Sequence, residues 1–126
     1  MGIAEDKAVV RRYMQSVEAG EPDFSLLADE LRWWVQGYGW LNKDQLCDLV
    51  RRTWEVKTPT RMEVNHVTAE DGRVSVESIG RATFKDGRDY ENTYHFLFTV
   101  RDGRIVEGKE HFDTAYSLQF NNMMQI

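Results

Sequence analysis

Apolar residues recur at helical spacing in the first half of the chain and alternate with polar ones in the second. Val9, Tyr13 and Val17 fall four apart, with Val10 and Met14 beside them, which predicts a helix over residues 4–19. Gly20 stops it and Pro22 follows. Asp23 is placed to cap a short second helix that runs to Leu27 or Ala28. Leu31-Arg-Trp-Trp-Val35 is short, aromatic and β-prone, so it reads as a strand, and residues 36–40, with Gly37 and Gly39, read as a loop. Asn42 then caps a third helix. Gln45 completes a capping-box pattern, Leu41 and Leu46 make a hydrophobic staple, and Leu46, Leu49, Val50 and Trp54 form the apolar stripe. Thr58-Pro59 ends that helix.

Beyond Pro59 the period changes to two. Asp71-Gly72, Asp86-Gly87 and Asp102-Gly103 are each followed by Arg and sit between β-rich runs, which is a strong hairpin signal. They predict four antiparallel strands, at about 61–69, 73–84, 88–101 and 104–114. Helices first and one long sheet afterwards make an α+β layout in a single domain over residues 1–126. Strands this long must twist and curl. Helices filling the hollow of a curled sheet leave a cone with an open end, a natural ligand cavity. The tail Asn121-Asn-Met-Met-Gln-Ile126 reads as frayed or packed on a partner.

Alternation also sorts the side chains. Tyr90, Asn92, Tyr94, Phe96, Phe98 and Val100 share the inner face of the third long strand, apolar at one end and polar towards Tyr90. Val74, Val76, Ser78, Gly80 and Ala82 share a face of the preceding strand and are small enough to leave room. The last strand admits two phases. Strict alternation buries Val106 and Phe112 and exposes His111 and Asp113, whereas a bulge near Gly108 changes the phase.

Charge and composition exclude several classes. The chain is 41% apolar and 12% aromatic, enough for one core. Its net charge is −5 and no basic stripe is visible, so nothing suggests a nucleic-acid partner. Arg11-Arg12 and Arg51-Arg52 lie within helical patterns and read as solvated faces. The single cysteine forbids an internal disulfide and fits a cytoplasmic setting. The first residues have no signal-peptide core, and Asp6 stands where a myristoylation start needs Ser or Thr. No apolar run approaches the ~18 residues of a membrane span. His66 and His95 lack metal-ligand spacing, and no phosphate loop or dinucleotide fingerprint occurs, so no metal or cofactor is assigned. Cys47 borders the helix stripe and reads as a buried thiol rather than a nucleophile.

Three stretches carry a resemblance. They are Arg12-Tyr13…Val17…Gly20-Glu21, the early Trp strand ending in Val35-Gln-Gly37, and the run from Tyr90-x-Asn-x-Tyr94 through Val100-Arg-Asp-Gly-Arg-Ile-Val106 to Glu110-His-Phe-Asp-Thr114. Together the pattern resembles the SnoaL-like branch of the nuclear-transport-factor-2-like superfamily, over nearly the whole chain. That superfamily includes ketosteroid isomerases, polyketide cyclases, limonene epoxide hydrolase and scytalone dehydratase. The resemblance implies a conical α+β barrel, a strongly curved antiparallel sheet wrapped around N-terminal helices, with a deep pocket. It also implies a homodimer through the outer sheet face, to which Leu97 and Ile79 would contribute. Asp113 matches an acid that faces the cavity in epoxide-hydrolase and cyclase relatives, and Tyr13 matches a tyrosine that hydrogen-bonds the substrate oxygen in the isomerases. Departures matter as well. Trp33-Trp34-Val35-Gln36 stands where the isomerase base belongs, Phe96 where its second oxyanion donor belongs, and Ser78-Ile-Gly80 where the epoxide hydrolase has an Arg-x-Asp pair.

One fold hosts many chemistries, so the residues must decide. The first expectation is a cofactor-free isomerase, cyclase or dehydratase. It would move a proton on a small hydrophobic, carbonyl-bearing molecule of polyketide or steroid type. Asp113 would be the acid or base, with a pKa raised by desolvation, His111 its helper, and Tyr13 and Tyr94 the hydrogen-bond donors to the oxygen. Trp33 and Trp40 would line the pocket, with Tyr90, Asn92, Tyr94 and Phe96. The alternatives are a non-catalytic module that binds a small molecule or a protein, and an epoxide hydrolase. The last needs a second acid, Glu107 or Glu110, turned inward.

Overall fold

Two of the Asp-Gly pairs turn the chain by adopting left-handed backbone at both central positions. Asp71 and Gly72 have φ of 50° and 76°, and Asp102 and Gly103 have 52° and 77°. Such turns match the right-handed twist of the strands they join. At the third pair only Gly87 is left-handed, at 92°. There the Gly87 N–H donates to the Phe84 carbonyl (2.9 Å) and the Phe84 N–H to the Arg88 carbonyl (2.8 Å), which closes a three-residue turn.

The computed structural model describes residues 2–120, so the expectation for the tail falls outside the described residues. In chain order the elements are α1 (Ile3–Glu18), a 3-10 turn (Phe24–Leu26), β1 (Leu27–Val35), β2 (Gly39–Asn42), α2 (Lys43–Thr53), β3 (Arg61–Glu70), β4 (Arg73–Thr83), β5 (Asp89–Arg101), β6 (Arg104–Phe112), α3 (Thr114–Ser117) and a final 3-10 turn (Leu118–Phe120). The sheet runs β2-β1-β6-β5-β4-β3. It is a curved, unclosed α+β cone rather than a closed barrel, since β2 and β3 are its two edges. It is also mixed rather than wholly antiparallel: β1 runs parallel to β6. The reason is connectivity, because α2 and the four strands β2 to β5 separate the two in sequence.

The N-terminal half departs from expectation in its details. Asp23 caps the chain after α1 by accepting from the Ser25 N–H (3.1 Å), but only one 3-10 turn follows. β1 begins at Leu27, not Leu31, and residues 36–38 are the turn of a hairpin whose second strand is β2. The capping box of α2 is present in both directions, between Asn42 and Gln45. The helix ends at Thr53, ahead of Thr58-Pro59, and the chain continues in turns to Lys57.

α1 packs across β3 to β6 and α2 against β1 and β2. Between the layers Val10, Val74, Val76, Phe98 and Ile105 are sealed from solvent. Each such side chain contributes about 1.5–3 kcal/mol of burial. β4 and β5 alternate as their sequences predict, with Ser78, Ala82, Tyr90, Asn92, Phe96, Phe98 and Val100 all buried. In β6 the bulge falls at Val106, because Ile105 pairs with Val100 and Glu107 with Thr99. Ile105 is therefore inside, and so are Gly108, Glu110 and Phe112 beyond the bulge, which sends His111 to the outer face.

Candidate active site

Tyr13, Met14 and Val17 of α1, Leu46, Leu49 and Val50 of α2, and the concave side of β5 and β6 enclose a cavity of about 660 Å³. That volume suits a drug-sized organic ligand. Tyr38 and Leu118 also line it and are 55% and 63% exposed, so they mark its mouth. The far side is apolar, with Phe96 and Phe98 stacked at 5.5 Å.

Glu110 is the single carboxylate among the described lining residues. Its position depends on a close approach two residues earlier. Gly108 pairs with Trp33 across β1 and β6, and a Cβ on Gly108 would lie 2.4 Å from the indole ring. With no side chain there, the ring lies against β6, and its Nε1–H donates to Glu110 Oε1 (3.1 Å). The other carboxylate oxygen has no hydrogen-bond partner among the described residues. Desolvation is the main influence on this acid. It raises the pKa from 4.5 to about 7, against the smaller lowering by the Trp33 hydrogen bond and the Lys57 charge. A carboxyl group so tuned exchanges protons near neutral pH.

Hydrogen-bond donors stand around it. Asn92 accepts from the Asp113 N–H (3.1 Å) and donates through Nδ2 to the Asp113 carbonyl (3.1 Å), which fixes its amide. Nδ2 also donates to the Tyr90 hydroxyl (3.0 Å), and Tyr90 and Tyr94 share a 2.6 Å hydrogen bond. This order lets Tyr90 donate to Tyr94 and leaves the Tyr94 proton for a ligand oxygen. Gly80 makes room for the relay, since a Cβ there would meet the Tyr94 ring at 2.6 Å. The Tyr13 hydroxyl lines the cavity without a protein partner among the described residues. Burial raises the pKa of Tyr13, Tyr90 and Tyr94, so all three stay protonated as donors. Lys57 is the one cationic lining residue described. Its ammonium donates to Thr60 Oγ1 (2.7 Å), and burial lowers its pKa to about 8, partly opposed by the Glu110 charge.

The residues expected from sequence divide sharply. Tyr13, Trp33, Tyr90, Tyr94 and Phe96 line the cavity. Asn92 is buried behind it as the anchor of the tyrosine relay. Asp113 does not face the cavity: its exposed carboxylate caps α3 by accepting from the Tyr116 N–H (3.0 Å). The desolvated site expected for it is thus occupied by Glu110. Asp113 reaches the site only through its backbone. His111 packs against Trp34 on the outer face, with ring centroids 4.9 Å apart and planes tilted by 51°, and lines a shallower groove with His95, Ser75 and Glu77. Trp40 is 45% exposed, outside the cavity, with the Arg32 guanidinium 4.2 Å above its ring. Its strand is a sheet edge whose residues alternate outward at this point. Cys47 is buried in α2 and desolvation raises its pKa, in keeping with an inert thiol. No group of three or more His, Cys, Asp or Glu among the described residues is arranged to hold a metal. No described helix is long and apolar enough to cross a membrane.

The fold and the acid-bearing cavity define a cone-shaped α+β architecture built around an internal cavity. The sequence profile of the SnoaL-like domain matches residues 10–108, and the chain belongs to that family. No curated protein matches the chain. Solved structures do. An NTF2-like protein of unknown function from Burkholderia pseudomallei aligns over 100% of both chains at 19% identity and a TM-score of 0.78. IdmH, a putative polyketide cyclase from Streptomyces antibioticus, is 18% identical over 90% of this chain and 96% of its own, with a TM-score of 0.79. An LEH-like epoxide hydrolase from M. tuberculosis is 18% identical over 92% of this chain and 88% of its own, with a TM-score of 0.78. At such identities these likenesses establish the fold.

Proposed function

We propose that the protein is an acid–base enzyme that moves a proton next to the carbonyl of a small hydrophobic molecule, of polyketide or steroid type, without a cofactor. The observation that carries this reading is Glu110: one oxygen held by Trp33, the other left to an apolar cavity, and a pKa near 7. Glu110 takes the proton from the carbon beside the carbonyl, and the oxygen gains negative charge. Tyr94, polarised by Tyr90 and Asn92, donates to that oxygen, and Tyr13 is the second donor. Glu110 then returns the proton to another carbon in isomerisation or to a leaving hydroxyl in dehydration. In cyclisation the enolate carbon attacks a second carbonyl carbon of the same molecule, and the proton goes to that carbonyl's oxygen. The three reactions share the first step. The epoxide-opening reading is weaker, since it requires a second acid and Glu110 is the lone carboxylate among the described lining residues.

The test is exchange of α-protons of hydrophobic cyclic ketones and enones for deuterium, followed by NMR. Exchange by the native protein and its loss in Glu110→Gln is the expected result. If the ketones bind but Glu110→Gln exchanges them as fast as the native protein, the mechanism fails and ligand binding is the role left to the cavity. A homodimer through the outer sheet face accompanies this proposal, where Leu97 and Ile79 are half-buried. Light scattering is expected to give twice the chain mass, and a monomer at high concentration would refute it.

A further inference from the structure

Lys57 is placed oddly for a lysine. Only 7% of it is exposed, whereas an ordinary lysine keeps its ammonium in water. The chain around it is pinned: its N–H donates to the Thr53 carbonyl (3.0 Å), it bridges to Phe84, and the Thr58 N–H donates to the Thr83 carbonyl (2.9 Å). The side chain is thereby delivered to the cavity wall. Among the described residues no carboxylate lies within ion-pair distance of it, and the Thr60 hydroxyl is its one hydrogen-bond partner. Lys43 is a useful contrast, because it has a carbonyl at 2.9 Å and Asp29 at 3.5 Å. A buried amine that lacks a counter-ion is poised to shed its proton, and burial does lower its pKa to about 8. The neutral amine is a nucleophile, and Glu110 in the same cavity is an acid able to give and take a proton.

We propose that Lys57 is a covalent capture site for hydrophobic aldehydes and ketones, which it binds as an imine inside the cavity. The Nζ lone pair attacks the carbonyl carbon, a C–N bond forms, and the carbonyl π pair moves to oxygen. The proton leaves nitrogen and ends on that oxygen, which gives a carbinolamine. The C–O bond then breaks, with Glu110 protonating the departing hydroxyl, as the nitrogen lone pair forms C=N. The released proton returns to Glu110, and the net change is one water lost. No oxidant or reductant is needed. This step shares the cavity with the proton-transfer reading but does not depend on it, because no carbon-bound proton moves.

The experiment uses the full chain with benzaldehyde and sodium cyanoborohydride near pH 7, with peptide mapping by mass spectrometry. The expected result is reductive benzylation of Lys57 faster than of the exposed lysines by about tenfold or more, because a depressed pKa exposes far more free amine than an ordinary lysine has. A hydrophobic cyclic ketone should slow labelling of Lys57 and leave the other sites unchanged. Lys57→Arg should remove the adduct, with circular dichroism showing that the fold persists. In Glu110→Gln, labelling of Lys57 should continue at a reduced rate even as α-proton exchange is lost. Uniform labelling of exposed amines with Lys57 untouched in the folded native protein would overturn the inference. Proton exchange by the same sample would then leave the Glu110 mechanism standing.

Discussion

The two faces of β6 contain ionisable groups one residue apart and treat them in opposite ways. Glu110 enters an apolar cavity, where desolvation drives its pKa up to about 7. His111 and Asp113 are consigned to the outer face and to the start of α3, where the carboxylate caps a helix in contact with solvent. The strand is the same and the residue types are similar. What differs is the side of the sheet, and that was decided by a single extra residue at Val106. An acid acquires a chemical role here through the dielectric around it more than through its identity or its neighbours in sequence.

The most direct way to break this comparison is to neutralise each acid in turn. Glu110→Gln should lower α-proton exchange by on the order of 100-fold or more, while Asp113→Asn leaves it within about twofold. Asn caps helices about as well as Asp, so Asp113→Asn should also leave the melting temperature nearly unchanged. A reversed result would return the chemistry to the outer face.

Gly108→Ala attacks the packing that positions the acid. The added Cβ would overlap the Trp33 ring, so ring or strand must shift. A loss of about 1–3 kcal/mol in denaturant unfolding is expected, with Trp fluorescence altered and exchange impaired. Unchanged fluorescence and stability would show that the close approach has no role.

The pH dependence sharpens the contrast at smaller cost to the protein. The folded-state pKa of Glu110, about 7, lies above the ordinary 4.5, so the folded chain holds this proton more tightly than the unfolded one. The associated stability is fully present below pH 4.5 and is lost as pH rises through about 7. Glu110→Gln has no such loss. It should gain about 3 kcal/mol relative to the native protein between pH 4 and pH 8, read from paired urea titrations. Exchange activity, which needs the carboxylate, should rise over the same range in which stability falls. Parallel stability profiles for the two proteins would mean that Glu110 is solvated.

Much of this architecture was legible without coordinates. The two Asn and Asp caps, the Asp-Gly turns and the alternation in β4 and β5 are local rules, each acting over a few residues, and the structure follows them. The inward set from Tyr90 to Phe98 was legible for the same reason, and it contributes three of the cavity residues expected from sequence as well as their anchor, Asn92. Short β2 was missed because a four-residue strand between two glycines and a helix cap looks like a loop. The parallel pairing of β1 with β6 was missed because partners so far apart in sequence leave no local trace. One signal for Glu110 did exist: Phe112 shares its parity, and burying Phe112 in strict alternation also turns Glu110 inward. The resemblance to relatives with an acid at the strand end drew attention to Asp113, three residues too far.

By itself, then, the sequence determined the elements, their order, the turns and the apolar stock of the cavity, since these follow from backbone sterics and side-chain period within a short window. The tertiary structure alone decided which acid is desolvated, which lysine is buried with a hydroxyl rather than a carboxylate at its ammonium, and which tryptophan donates to the carboxylate. Those outcomes depend on the bulge at Val106, on the meeting of Trp33 with Gly108 across distant strands, and on Lys57 reaching a cavity shared with β6. A pKa is set by the surrounding medium, and that medium exists only once the layers have closed over it.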